Sequence, residues 1–202
     1  MDPKAEPVAV HRASPVPIHW MAKVKADLDR DVALGVLERV PENTPVKWQS
    51  RMHVVPKKDG TCRRTVDLRP LNEATYHQTH LTESPFVQAS RIPAGTWKST
   101  VDAWNGYHSV PLDKASRELT TFLTPWGRYR YLVNPQGQRI SGDAYTMRYD
   151  KIMEKLERWV RCVDDCALWD QEFGDHFYHV VELLVLTSSN WPCSLHCHCG
   201  GQ

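Results

Sequence analysis

No apolar run in this sequence is long enough to cross a bilayer. The longest, Val180 to Leu186, is interrupted by Glu182, whereas a spanning helix needs about 20 apolar residues. No membrane partner is therefore expected. No apolar core follows Met1-Asp2-Pro3-Lys4, so no secretory leader is read there and an intracellular site, cytoplasmic or nuclear, is expected. There is no internal repeat, and almost no net charge: 25 basic residues face 24 acidic ones. That balance leaves nucleic-acid binding open. Metal-ligand spacing is also lacking. Cys193, Cys197 and Cys199 crowd the tail with His196 and His198, but no second well-spaced pair completes a zinc site. Cys62, Cys162 and Cys166 lie in strand-like runs, as free thiols in a reducing compartment would.

What is present is enough for a folded core. The chain has 202 residues, 41% of them hydrophobic and 24% charged, which suits one or two domains. Charge is unevenly spread. From Lys47 to Arg69 there are seven basic residues and two acidic ones. Such a segment attracts phosphates, unless it is simply a solvated face.

Residues 1–18 carry four prolines and read as an extended arm. Trp20, Val24, Leu28 and Val32 recur every four residues, and Gly35 is placed to stop that helix. Two β-like runs, Met52–Lys57 and Thr61–Val66, flank Lys58-Asp59-Gly60, a strong hairpin signal. With a three-residue loop and Gly60 left-handed, Lys57 and Arg63 share one face; a two-residue loop would separate them. Residues 70–96 look irregular. A strand is read from Trp97 toward Asp102, and a hairpin around Pro125-Trp126-Gly127. Helical spacing runs through 142–158, and a final helix covers about Gly174 to Leu186. Beyond Ser188 no pattern can be assigned.

Between Trp159–Val163 and Cys166–Trp169, two strand-like runs, sit Asp164 and Asp165. Two carboxylates at one hairpin tip repel each other. A divalent cation would remove that cost, since Mg²⁺ takes carboxylate oxygens and shares them with phosphates. A solvated acidic turn is the alternative.

Six blocks occur in one order: Val55-Pro56-Lys57-Lys58-Asp59-Gly60, Val66-Asp67-Leu68-Arg69-Pro70-Leu71-Asn72, Thr100-Val101-Asp102-Ala103-Trp104-Asn105-Gly106-Tyr107, Phe122-Leu123-Thr124-Pro125-Trp126-Gly127, Pro135-Gln136-Gly137 and Cys162-Val163-Asp164-Asp165. This series resembles the reverse transcriptase of gypsy-type LTR retrotransposons and, more distantly, retroviral reverse transcriptases, over about residues 8–186. The resemblance implies an α+β fold: the fingers and palm of a right-hand polymerase, with an antiparallel palm sheet backed by helices and no thumb. The implied layout is an arm at 1–18, fingers at 19–98 and 114–141, a palm strand and turn at 99–113, palm at 142–188 and an atypical Cys/His-rich tail at 189–202.

The implied activity is RNA-directed DNA synthesis on an RNA or DNA template-primer, with dNTPs as substrates. Asp102, Asp164 and Asp165 match the catalytic carboxylates that hold two Mg²⁺ ions, with Mn²⁺ as a possible substitute. Lys57, Arg63, Ala103, Tyr107 and Gln136 match nucleotide-contacting positions. Taken alone, Tyr107 reads as core packing and Gln136 as a loop amide. Two departures stand out: Cys162 replaces the family's usual Tyr, and Gly142 its usual Pro. Thumb, connection and RNase H segments have no counterpart here, and are expected to be either supplied by a longer polyprotein or absent. The competing expectation is a catalytically silent remnant that binds nucleic acid non-specifically.

Overall fold

The computed structural model describes residues 1–76, 83–103, 106–162, 165–190 and 195–200. In chain order the elements are helix α1 (Ile18–Ala33), strands β1 (Leu37–Val40), β2 (Ser50–Pro56) and β3 (Cys62–Asp67), and short helices α2 (Arg69–Glu73) and α3 (Pro85–Ser90). Strand β4 (Trp97–Ala103), a 3-10 turn (Gly106–Ser109), helix α4 (Lys114–Leu119) and strands β5 (Phe122–Thr124) and β6 (Gly127–Tyr131) follow. Helix α5 (Ser141–Met153), strands β7 (Trp159–Cys162) and β8 (Asp165–Asp170), helix α6 (Phe173–Asn190) and strand β9 (Leu195–Gly200) complete the order. These elements form two units, Met1–His77 with Pro111–Ser141, and Gln78–Val110 with Gly142–Gln202.

The first unit is built on a sheet in the order β1-β6-β5-β2-β3. Its one parallel pair is β2 with β5. Helix α1 lays its four-residue apolar stripe on this sheet: Val24 and Leu28 are buried with Leu37, Met52, Phe122 and Tyr129. Gly35 ends the helix region with φ +70, a conformation glycine adopts without steric cost. Arg64 pairs with Asp31 of α1 where both side chains are nearly buried. One member of the basic segment therefore ties β3 to α1 instead of facing solvent. The proline-rich arm is held along Gln49, whose backbone bonds to Val8 and Val10.

Two local expectations are corrected. The 70–96 stretch contains α2 and α3, each with a proline in its first turn. Proline costs little there, because the missing N–H has no helical partner anyway. In the second hairpin Thr124 pairs with Gly127, so the loop is only Pro125-Trp126 and Gly127 joins the strand at φ +111.

The second unit has an antiparallel sheet in the order β7-β8-β4-β9. Helices α5 and α6 cover one face, with Tyr145, Tyr149, Met153 and Leu183 packed on Val101, Cys166 and Leu168. Burial pushes the Cys166 thiol up to about 11, so it serves as an apolar residue. The tail, for which no element was expected, supplies β9 and pairs along β4. The far edge of β4 offers unpaired N–H and C=O groups that any extended segment can satisfy.

A buried polar cluster locks α6 to this sheet. Asp170 ends β8 and is 2% exposed. Its Oδ2 accepts from Nδ1 of both His176 and His179, each at 2.9 Å, and its Oδ1 accepts from Arg158 Nε at 2.7 Å. With Nδ1 of His176 protonated, its Nε2 accepts the Ser99 hydroxyl at 2.8 Å, which extends the cluster to β4. Arg158 reaches Asp170 from a left-handed backbone, φ +49, a conformation that costs of order 1 kcal/mol in a non-glycine residue.

Burial alone would raise the Asp170 carboxyl. The bonds from His176, His179 and Arg158 outweigh it and hold the group below its ordinary 3.8. The folded value lies under the unfolded one, so this stabilisation is complete above about pH 4 and is lost as pH falls through the folded value. Asp170→Asn is expected to cost about 3 kcal/mol near neutral pH, read from the urea midpoint, because it leaves the Arg158–histidine cluster without its carboxylate. The wild-type advantage should shrink on acidification below pH 4.

Candidate active site

The central strand β4 runs between β8 and β9. Val101 faces Cys166 across the β4–β8 ladder, and the next pair is Asp102 facing Asp165. Val101 and Cys166 are both 1% exposed, inside the helix-covered face. Side chains alternate along a strand, so Asp102 and Asp165 point to the opposite, open face, where both are exposed. Directly opposed residues hold their Cβ atoms about 4.5–5.5 Å apart, and like charges in such a pair are destabilising. Two carboxylates distant in sequence are thus brought together. Asp164, the third expected member, lies outside the described residues.

Asp165, expected in a loop, belongs to a strand. Strand β8 begins at Asp165, which pairs with Cys162 on one side and Asp102 on the other. The reason is the core. This register turns Cys166 and Leu168 inward together with Arg161, which bonds Asp150 of α5 at 2.9 Å. A one-residue slip would put the opposite set inward. Ala103, the last residue of β4, pairs with Leu195 of β9.

Tyr107 sits on the 3-10 turn, half-buried, with its ring 5.3 Å from Tyr145 of α5. Tyr145 stacks onward to Tyr149 and Tyr149 to Trp159, so Tyr107 leans on a buried aromatic series. Gly106 permits that approach. A methyl group there would lie 2.6 Å from the Tyr145 ring. The packing reading of Tyr107 holds for one side of the ring, and the residue remains partly open to solvent.

In the first unit, the β2–β3 hairpin takes the three-residue form. The Lys57 amide donates to the Thr61 carbonyl at 2.7 Å, and Gly60 is left-handed at φ +77. Arg63 pairs with Val55. Lys57 and Arg63 are therefore exposed diagonal neighbours on one face. Asp59 fastens the loop by accepting from the Thr61 amide at 2.9 Å and hydroxyl at 2.6 Å. The Thr61 hydroxyl bond holds the Asp59 carboxyl low. On the same face Asp67 stands opposite Arg51 and is gripped by the Arg69 fork at 2.8 and 2.7 Å. That fork lowers the Asp67 carboxyl to about 2, so it stays ionised and spoken for.

Gln136 is exposed on a turn beside Gly137, which has φ +89. The Asn72 side chain braces that turn. Its Nδ2 donates to the Gly137 carbonyl at 2.9 Å, and its Oδ1 accepts from the Arg139 amide at 2.7 Å. Sequence reading quoted Asn72 only as the end of a block and gave it no role. The signal was faint: one amide side chain in a five-residue helix.

Among the described residues no group of three or more His, Cys, Asp or Glu side chains could hold a metal ion, and no helix is long and apolar enough to cross a membrane. The described carboxylates supply a pair of oxygen donors on one open face, the donor chemistry that Mg²⁺ prefers.

Comparison with known proteins bears on the fold and the family. The chain is 26% identical over 179 residues to the Tf2-3 and Tf2-7 transposon polyproteins of Schizosaccharomyces pombe, an alignment that covers 86% of this chain and 13% of each polyprotein. Its fold matches native prototype foamy virus protease-reverse transcriptase with a TM-score of 0.81 at 20% identity, over 92% of this chain and 24% of that one. The foamy viral enzyme in complex with an RNA/DNA hybrid gives 0.83 at 18% identity, over 95% and 25%. The α+β architecture is therefore that of a reverse-transcriptase polymerase fold. Residues 55–191, more than half of the chain, match the model for reverse transcriptase (RNA-dependent DNA polymerase), and the chain belongs to that family.

Proposed function

We propose that this chain carries the polymerising chemistry of an RNA-directed DNA polymerase, adding deoxynucleotides to a primer 3′-hydroxyl on an RNA or DNA template. The observation that carries the reading is the Asp102–Asp165 pair on the open face of the antiparallel sheet. Asp102 and Asp165, with Asp164, would hold two Mg²⁺ ions, or Mn²⁺ in their place. Bound there, such ions would activate the primer hydroxyl and offset charge on the departing pyrophosphate. The two carboxylates cost stability in the bare protein, which is the arrangement expected of a site tuned for cations rather than for packing.

The unit that contains β4 and β8 serves as the palm in this reading, and the unit that contains the β2–β3 hairpin as the fingers. Lys57 and Arg63 grip the triphosphate, with Arg63 suited to a bidentate contact. Tyr107 supports the sugar and disfavours a 2′-hydroxyl by its bulk, beside Ala103. Gln136 borders the sugar and base, on a turn that Asn72 keeps in place.

Primer extension with Mg²⁺ tests the reading. Asp102→Asn and Asp165→Asn should each lower the extension rate roughly 10³-fold while template-primer binding persists. In EDTA the same variants should melt about 1–3 °C higher, because a like-charge pair is removed. Wild-type extension that is absent with either metal, or equal in the Asn variants, would favour a silent nucleic-acid-binding remnant. Lys57→Gln and Arg63→Gln should raise KM for dNTP by about 10–100-fold with little change in kcat, the loss of one charge-assisted hydrogen bond each. Asn72→Ala should raise KM by a smaller factor, about 3–10-fold, by releasing the turn under Gln136.

A further inference from the structure

Helix α5 is charged on both flanks, with opposite signs. Asp150 and Glu154 lie on one flank, where they border a hollow shared with Arg91 and Arg161. Asp150 holds the Arg161 guanidinium at 2.9 and 3.2 Å. Arg91 in turn pairs with Glu83 of the same hollow at 2.7 Å. On the other flank, Arg148 and Lys151 of α5 and Lys155 of the turn after it line a cavity of about 380 Å³ with Ile152 and Leu186. Positions three and seven residues apart fall on one side of a helix. No carboxylate lines this hollow among the described residues. Lys151 and Lys155 are exposed, and neither forms an ion pair among the described residues. Like charges one turn apart weaken a helix, so no local ion pair among the described residues accounts for Lys151 and Lys155.

The flank is separate from the carboxylates. Helix α5 packs on the sheet face that carries Val101 and Cys166, whereas Asp102 and Asp165 occupy the other face.

The lining chemistry narrows the ligand. Arg and Lys side chains are donors only, so the site has no side-chain acceptor to read a base edge. Ile152 and Leu186 form an apolar floor with no aromatic ring on which a base could stack. A mononucleotide would leave its base unrecognised. A polyanion fits better: residues 148 to 155 span about 10 Å of helix, and one strand of a duplex presents a phosphate about every 3.4 Å along its axis. We infer that the Arg148–Lys151–Lys155 flank of α5 is a second docking surface for the phosphodiester backbone of nucleic acid, independent of base sequence and apart from the carboxylate face. The inference goes beyond the polymerase reading and holds for a chain unable to extend a primer.

Fluorescence anisotropy with the full chain and an end-labelled, blunt 20-base-pair DNA duplex, titrated between 50 and 200 mM salt, tests it. Lys151→Gln/Lys155→Gln should weaken binding about tenfold at 100 mM salt. It should also lower the magnitude of the log K against log salt slope by about two, one unit per lost phosphate contact. Lys151→Arg/Lys155→Arg should restore both. An unchanged slope and affinity in the Gln variant would overturn the inference. Competition by inorganic triphosphate as effective as unlabelled duplex, at equal phosphate concentration, would also overturn it, in favour of a free-phosphate site. Loss of extension in wild type with the slope effect intact would sink only the polymerase reading.

Discussion

The register between β4 and β8 is the constraint on which the second unit depends. Val101 and Cys166 must point inward to complete the core beneath α5 and α6. Because side chains alternate, that demand forces Asp102 and Asp165 outward together. Two negative charges then face each other on a surface that gains nothing from their company. Core burial is worth more than this repulsion: an inward residue of Val101's size contributes about 1.5–3 kcal/mol, against about 1 kcal/mol or less for the opposed charges. The carboxylate pair is thus held in place by residues that lie on the other face of the sheet.

The same unit guards that register with polar contacts as well. Asp170 at the end of β8 joins Arg158, His176 and His179, and Arg161 of β7 fastens to Asp150 of α5. Slipping β8 by one residue would pull Asp170 away from Arg158, His176 and His179 at once. Unpaired buried charges cost several kcal/mol each, so these bonds act as a check on alignment. In the first unit, the matching device is the left-handed Gly60, which sets Lys57 and Arg63 on one face of their hairpin.

Much of this was legible in the sequence where a local rule decides the outcome. Lys58-Asp59-Gly60 declared a hairpin, and the Trp20–Val24–Leu28–Val32 spacing declared α1. The ordered blocks marked Asp102 and Asp165, although they lie far apart in the chain. Illegible features were those decided by distant partners. Strand β9 has no apolar rhythm and exists by pairing with the open edge of β4. The short helices α2 and α3 hid behind their prolines. Histidines 176 and 179 carried no signal in the sequence, because their partner Asp170 lies on a neighbouring strand. Asn72 gained a role only when the chain returned to it at Gly137 and Arg139.

The strand order of the first sheet carries a consequence for biogenesis. Strands β6 and β5 stand between β1 and the β2–β3 hairpin, yet they arrive some eighty residues after β1 in the chain. A nascent polypeptide that has emerged only through the hairpin holds two outer pieces of a sheet with its middle missing. Closure of that layer waits on long loops, an entropic toll that slows assembly and leaves strand edges open to wrong neighbours in the interval.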